Sequence, residues 1–329
     1  MMSALLTACV VSSCNKIPED TLCSVRVSMD NDYTLPWSRI AIPPYNYRVL
    51  YYDTNTGAKA FEDFCPEKGG SMGVIQGRFS VFAYGLDMAT TLVNGTDYLS
   101  TVNAYSEPVF PALKSVFTAC KSAIRTKAGN DGIVLCTTKG YPGFEDDNVV
   151  SEPDPIFAGY TKDVTVKWTG EGKVENQFTV STRSRLCQSS VTIEGVTNTD
   201  RLSSVQLFFT NYASSRNIFS GKPGDELATI SVSASEISEK AITACFNHFG
   251  IPQVADVVNT VYVVFTNRSG ESFLFVEDVT SQVRDGDGNE SLSLSIDFDV
   301  PLSENDGTGG FMPVLSDWSA LHYSVPIGY

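Results

Sequence analysis

The sequence predicts a mainly β protein, built as two tandem β-sandwich domains with one or two short helices. Three observations carry this. Short segments in which apolar and polar residues alternate recur along the chain, turn residues separate them, and 329 residues suit two domains at roughly 100–200 residues each. Hydrophobic residues make up 42% and charged residues 19%, enough apolar material for packed cores and too varied a mixture for disorder.

The first fourteen residues read as a lipoprotein signal peptide (1–14). Ala4 to Cys14 is a short apolar run with small residues before each of two cysteines, and Asn15-Lys16-Ile17-Pro18-Glu19-Asp20 follows abruptly. Leu6-Thr7-Ala8-Cys9 and Val11-Ser12-Ser13-Cys14 both resemble the bacterial lipobox, whose cysteine is lipidated. Cys14 is the better candidate and Cys9 the alternative, because the apolar run continues past Cys9 and polar sequence begins directly after Cys14. No Lys or Arg precedes the run, which departs from the usual signal pattern. At about eleven residues it is shorter than the roughly twenty a spanning helix needs, so attachment is expected through lipid alone.

An N-terminal sandwich is placed at 15–170. Val25, Val27 and Met29 alternate with polar residues in a first strand, Tyr45, Tyr47, Val49 and Tyr51 in a second, and Phe79 to Tyr84 supply another. From Pro111, the residues Leu113, Val116, Phe117, Cys120 and Ile124 recur at helical spacing, with Lys121, Arg125 and Lys127 at the far end and Gly129 after it, predicting a helix. The polar stretch Glu145 to Pro155 reads as a surface loop, Val164 to Trp168 as a strand, and the domain boundary is placed near Gly170 and Gly172.

A C-terminal sandwich is placed at 171–329, with strands at Val191–Ile193, Val205–Phe209, Thr260–Phe265 and Ser272–Val276. The clearest strand is Leu292 to Val300, where every second residue is apolar and the intervening ones are Ser or Asp. A second helix is predicted after Ser233 or Ser235, with Ile237, Ala241, Ile242, Cys245, Phe246 and Phe249 on one stripe and His248 in its last turn, near the terminal carbonyls.

Several of these stretches are similar to the fimbrillin-like lipoproteins of Bacteroidales, which supply shaft, anchor and tip subunits of type V pili. The resemblance rests on the lipobox followed by an early strand (Cys14 to Met29), on Gly77-Arg78-Phe79-Ser80-Val81-Phe82, and on Gly309-Gly310-Phe311-Met312-Pro313-Val314 with Asp317-Trp318. It implies two transthyretin-like, Greek-key sandwiches, outer-membrane lipidation and a cell-surface or fimbrial location. It further implies a role in fimbria assembly or adhesion, with other pilus subunits as partners through β-strand addition. In that family an arginine-specific protease can remove the first strand; Arg26 and Arg39 lie in suitable early positions, and an anchor subunit would keep its lipid uncleaved.

The charge and motif content narrow the chemistry. Net charge is −15 and no Lys/Arg cluster matches a run of phosphates, so nucleic acid is not an expected partner. The two histidines, His248 and His322, form no metal-ligand pair, and no catalytic motif or cofactor fingerprint is present, so no enzyme activity and no cofactor are expected. The cysteines after the lipobox, Cys23, Cys65, Cys120, Cys136, Cys187 and Cys245, are scattered; buried thiols suit them, and one or two disulfides stay open.

The sequence offers three weaker candidate sites. Asp285, Asp287 and Asn289 place oxygens at alternate positions and are compatible with calcium, but Glu290 stands where an EF-hand needs glycine, so a solvated hairpin turn between Val283 and Leu292 is preferred. The acidic run Glu145-Asp146-Asp147 with Glu152 and Asp154 is read as solvated rather than as a hydrolase's carboxylate pair. Trp37, Tyr45 and Tyr47, with Tyr51 and Tyr52, offer a stacking platform for sugars, although cross-strand packing is the favoured fate. The expected function is therefore a non-enzymatic fimbrillin-like surface lipoprotein, and the alternative a glycan-binding outer-membrane lipoprotein.

Overall fold

The computed structural model of the protein describes residues 22–37, 42–107, 126–128, 132–134, 148–169, 176–252, 257–270, 272–283 and 289–302. Strands dominate, and the helical elements among the described residues are two 3₁₀ turns, Leu99–Thr101 and Thr199–Arg201. In the first part of the chain come β1 (Leu22–Asn31), β2 (Asn46–Asp53), β3 (Lys59–Pro66), β4 (Gly69–Ile75), β5 (Gly77–Gly85), β6 (Thr91–Asn94), β7 (Asn103–Ser106), β8 (Thr126–Ala128), β9 (Gly132–Val134), β10 (Val149–Ser151), β11 (Phe157–Val166) and β12 (Asn176–Ser184). There follow β13 (Cys187–Thr197), β14 (Leu202–Ala213), β15 (Ser215–Asn217), β16 (Leu227–Ser233), β17 (Glu236–Ile237), β18 (Ile242–His248), β19 (Thr260–Asn267), β20 (Ser272–Asp278) and β21 (Ser291–Asp299).

Seven strands form one sheet in the order β3-β2-β5-β11-β12-β1-β4. The alternation that marks each strand directs one set of side chains inward, and inward residues from all seven meet in one core: Val25 and Val27 of β1, Tyr47 and Tyr51 of β2, Cys65, Val74, Val81, Val164 and Val180. A single sheet can enclose a core only by folding over on itself, which is how the first sandwich is made. Its central strands are buried on their outer face as well. Leu50, Tyr52, Phe82, Tyr84 and Ala158 join Val102, Ala104 of β7, Ala213, Ile218 and Phe249 in a second apolar cluster. That cluster and the small sheet β15-β7-β6 join the two halves of the chain.

The second sandwich has two sheets, β10-β16-β14-β19-β20 and β17-β18-β13-β21, packed face to face. Between them lie Val191, Ile193, Leu207, Phe209, Ile230, Phe246, Val263, Phe265, Leu292, Leu294 and Ile296. A register shift between Glu194 and Val196, where β13 pairs with β21, is made at Gly195, with φ +87°. A Cβ there would lie 2.8 Å from the Ile296 carbonyl oxygen, so glycine alone suits both the backbone angle and the close approach of β21.

Several expectations change. The helix predicted after Ser233 or Ser235 is instead the hairpin β17–β18, with Ser238 Oγ closing the turn by donating to the Ala241 carbonyl at 2.7 Å. The segment carries both periodicities, since Ile242, Ala244, Phe246 and His248 also alternate, and all four are buried. The open edge of β13 supplies hydrogen bonds along the whole of β18, and the facing sheet buries its apolar side, which decides for the strand. Of the helix predicted from Pro111, Lys127 lies in β8, and residues 108–125 lie outside the described residues. The turn expected between Val283 and Leu292 is not a hairpin: β20 pairs with β19 and β21 with β13, so this connection passes from one sheet to the other. β12 pairs with β11 and β1, so the chain leaves the first sheet between Ser184 and Cys187, beyond the glycine pair at Gly170 and Gly172.

Candidate functional site

β1 occupies a slot inside the first sheet. It runs parallel to β12 and antiparallel to β4, so both of its edges are hydrogen-bonded. Cys23, Val25 and Val27 are buried, while Ser24, Arg26 and Ser28 between them face solvent. Alternate apolar side chains filling core pockets, with ladder bonds on two sides, is the geometry by which one strand completes another's sheet. Arg26 sits in mid-strand, opposite Gln177 and Ser71. Arg39, Cys9 and Cys14 lie outside the described residues.

The sugar platform does not form as proposed. Tyr47 has no exposed surface, nor does Tyr51, and Tyr52 has 1%. Tyr47 hydroxyl lies 3.3 Å from that of Tyr33 and 3.4 Å from Thr182 Oγ1, inside the first core. Burial pushes the Tyr47 phenol above its usual pKa. Tyr45 is exposed, while Trp37 turns to the second sandwich, its backbone N–H donating to Gln188 Oε1 at 2.7 Å and its indole N–H to the Gln188 carbonyl at 3.1 Å. The tyrosines were separated because β2 lies between two cores, so both of its faces are covered.

The carboxylates singled out by sequence are structural where they are described. Glu152 Oε1 accepts from the Asn247 backbone N–H at 2.9 Å, and Asp154 Oδ2 from those of Ala89 and Thr90 at 2.6 and 2.5 Å. Glu145, Asp146, Asp147, Asp285 and Asp287 lie outside the described residues. Asn289 Oδ1 accepts from the Gln188 backbone N–H at 2.9 Å. Among the described residues no group of three or more His, Cys, Asp or Glu could hold a metal ion.

One polar cluster escaped sequence reasoning. His248, placed by sequence at a helix end, is buried at the end of β18, and β13 and the approach to β21 bring Ser189 and Glu290 against it. The three residue types invite comparison with a hydrolase triad, but the proton directions exclude that role. His248 Nδ1 accepts from the Gly250 N–H at 3.0 Å, which leaves the proton on Nε2. Nε2 lies 2.9 Å from Ser189 Oγ and 3.3 Å from Glu290 Oε2, while Ser189 Oγ donates to Glu290 Oε2 at 2.6 Å. The histidine thus donates toward the serine, the reverse of general-base activation, and no acid orients its far nitrogen. Pairing separated by 59 and 101 residues leaves no local motif to find.

This cluster makes stability depend on pH. Burial, with the charge of Arg216, holds the His248 pKa below its ordinary 6.5, against the opposing pull of Glu290. The unfolded chain then binds the extra proton first, so stability is complete above about pH 6.5 and falls as pH drops below it, by at most about 1.4 kcal/mol per pH unit. Urea unfolding midpoints measured from pH 7.5 to 5 are expected to fall, and to fall less in His248→Phe; equal slopes would remove His248 from the account.

Comparison with known proteins agrees with this architecture. Residues 14–233, more than half of the chain, match the family model for a domain of unknown function, DUF5119. The chain belongs to this family. The match spans the first sandwich and runs through β16 of the second, so the DUF5119 model covers the β1 slot and Ser189 but not His248 or Glu290. No curated protein matches the sequence. Among solved structures, the DUF5119 chain is similar to a candidate adhesin from Bacteroides ovatus, with 15% identity, a TM-score of 0.55, and coverage of 92% of this chain and 99% of that one. It also matches the fimbrial anchor protein Mfa2 from Porphyromonas gingivalis, at 12% identity and a TM-score of 0.42, over 79% of this chain and 84% of that one. The likeness to the Bacteroides ovatus protein is one of fold, and it accords with the mainly β, sandwich architecture that the sequence predicts.

Proposed function

We propose that the chain is a non-enzymatic surface lipoprotein of fimbrillin type, acting in fimbria assembly or adhesion, and held by lipid on Cys14 until its first strand is removed. The observation that carries this is the β1 slot. The first described strand lies between β12 and β4, contributes Cys23, Val25 and Val27 to the core, and precedes the segment that holds Arg39. Cleavage at Arg39 would separate the whole strand from the rest of the chain, whereas cleavage at Arg26 would divide it. An emptied slot would expose the edges of β12 and β4 and a row of apolar pockets, which a strand from another subunit with the same alternation can fill. The buried, reversed Ser189–His248 pair supports a role without catalysis.

The test uses the full chain treated with an arginine-specific protease, then mixed with a fluorescent peptide of residues 22–31. Processed protein is expected to incorporate the peptide and to form higher oligomers when the peptide is withheld, and Arg39→Ala protein to do neither. A processed chain that stays monomeric and ignores the peptide would refute strand addition.

A further inference from the structure

The first sandwich carries an open cleft of about 530 Å³ that none of the features above uses. Its lining includes Asp30 and Asp32 at the end of β1, Arg183 and Arg185 at the end of β12, Tyr160 of β11 and Phe219. The volume lies within the range of small-molecule sites, roughly 300–1,000 Å³.

Arg185 is the informative residue. Its Nε donates to the Ala158 carbonyl at 3.1 Å, and among the described residues its two terminal nitrogens have neither a hydrogen-bond acceptor nor a carboxylate. Burial, with the cations of Arg183 and Arg216 nearby, lowers its pKa, as expected of a guanidinium held without a counter-ion. A planar fork with free donors suits a carboxylate, which it binds bidentately. The two acids on the other side are held but not used up. Asp30 Oδ2 accepts from Ser181 Oγ at 3.1 Å, and Asp32 Oδ1 from the Thr34 N–H at 2.9 Å, leaving one oxygen on each for a hydroxyl donor. The Thr34 bonds hold the Asp32 carboxyl below its usual pKa, so it stays an acceptor at neutral pH. Tyr160 and Phe219 meet edge to face, their centroids 4.9 Å apart, and give the cleft an apolar corner.

We infer that this cleft binds an acidic saccharide of the uronate class, its carboxylate on Arg183 and Arg185, its hydroxyls on Asp30 and Asp32, and its C–H face against Tyr160 and Phe219. A neutral sugar leaves the guanidinium uncompensated, and a phosphate dianion is repelled by the two carboxylates. Asp30 and Asp32 belong to the segment that cleavage at Arg39 would remove, so the inference concerns the unprocessed chain, and its test does not require strand addition to occur.

Isothermal titration of the full chain with trigalacturonate tests it, with the methyl-esterified trisaccharide and inorganic phosphate as controls. Trigalacturonate is expected to bind, esterification to weaken it at least about tenfold, and phosphate not to compete at equal concentration. Arg183→Ala, an exposed position where folding is not at stake, is expected to weaken binding about tenfold, and Asp32→Asn to weaken it for esterified and free ligand alike. No binding by the wild-type chain, equal affinity for the ester, or displacement by phosphate would each overturn the assignment. So would unchanged affinity in Arg183→Ala and Arg185→Lys with thermal unfolding like the wild type.

Discussion

Phe246→Ala is expected to destabilise the protein by about 3–5 kcal/mol, the largest loss from any single truncation considered. The ring is fully buried in the second sandwich. It stacks on Phe209 with centroids 4.2 Å apart and planes 20° apart, and Tyr212 meets it edge to face at 5.9 Å. Removing it forfeits both the transfer free energy of a phenyl group and the contacts of its neighbours, because β18 is tied along β13 and the facing β14 is held by β16 and β19 on both edges, so neither can collapse into the space. His248 lies 5.6 Å from the same ring, so the polar cluster loses a wall as well. Urea unfolding measures the change. Phe64→Ala, at an exposed ring on β3, serves as the comparison and is expected to shift stability by less than about 0.5 kcal/mol. Equal midpoints for the two variants would show that Phe246 is not part of a packed core.

Gly159→Val is expected to cost at least about 3 kcal/mol, by overpacking rather than by a cavity. Gly159 lies in β11 between Ala83 of β5 and Thr182 of β12. A Cβ there would sit 2.2 Å from the Ser181 carbonyl oxygen and 2.8 Å from Val180 Cγ1. The nearest obstacle is backbone, so β12 must move as a strand rather than as one side chain. β1 hangs on the opposite edge of β12, along seven paired positions, and its slot should loosen with it. Hydrogen exchange of amides in β1 is therefore expected to speed up more than that of amides in β16. A variant with a wild-type urea midpoint and unchanged exchange in β1 would contradict the close approach of β11 and β12.

The strands at Ser24–Met29, Phe79–Tyr84 and Leu292–Val300 were legible because each has one wet face and one dry face, which writes a period of two into the sequence. The segment around Ile242–His248 was not, because its apolar residues satisfy both helical and strand spacing. Only the partner edge of β13 separates the two. The tyrosines of β2 misled for a related reason: an aromatic in a strand reads the same whether its outer face meets solvent or a second core. Of the sites, the strand that fills the β1 slot was legible from its alternation, whereas the slot's two edges, the Ser189–His248–Glu290 cluster and the Arg185 cleft join residues far apart in the chain.

By itself, then, the sequence determined that the chain is mainly β and that segments with one wet and one dry face are strands with their dry residues inward, since these follow from local chemistry and periodicity. Tertiary structure alone decided that one sheet of seven strands folds over its own core, that β12 belongs to the first sandwich, and that β1 is held on both edges. It also decided which polar groups meet. Pairing and burial are set by contacts between distant segments, and no local pattern encodes the partner that a strand edge or a buried side chain will find.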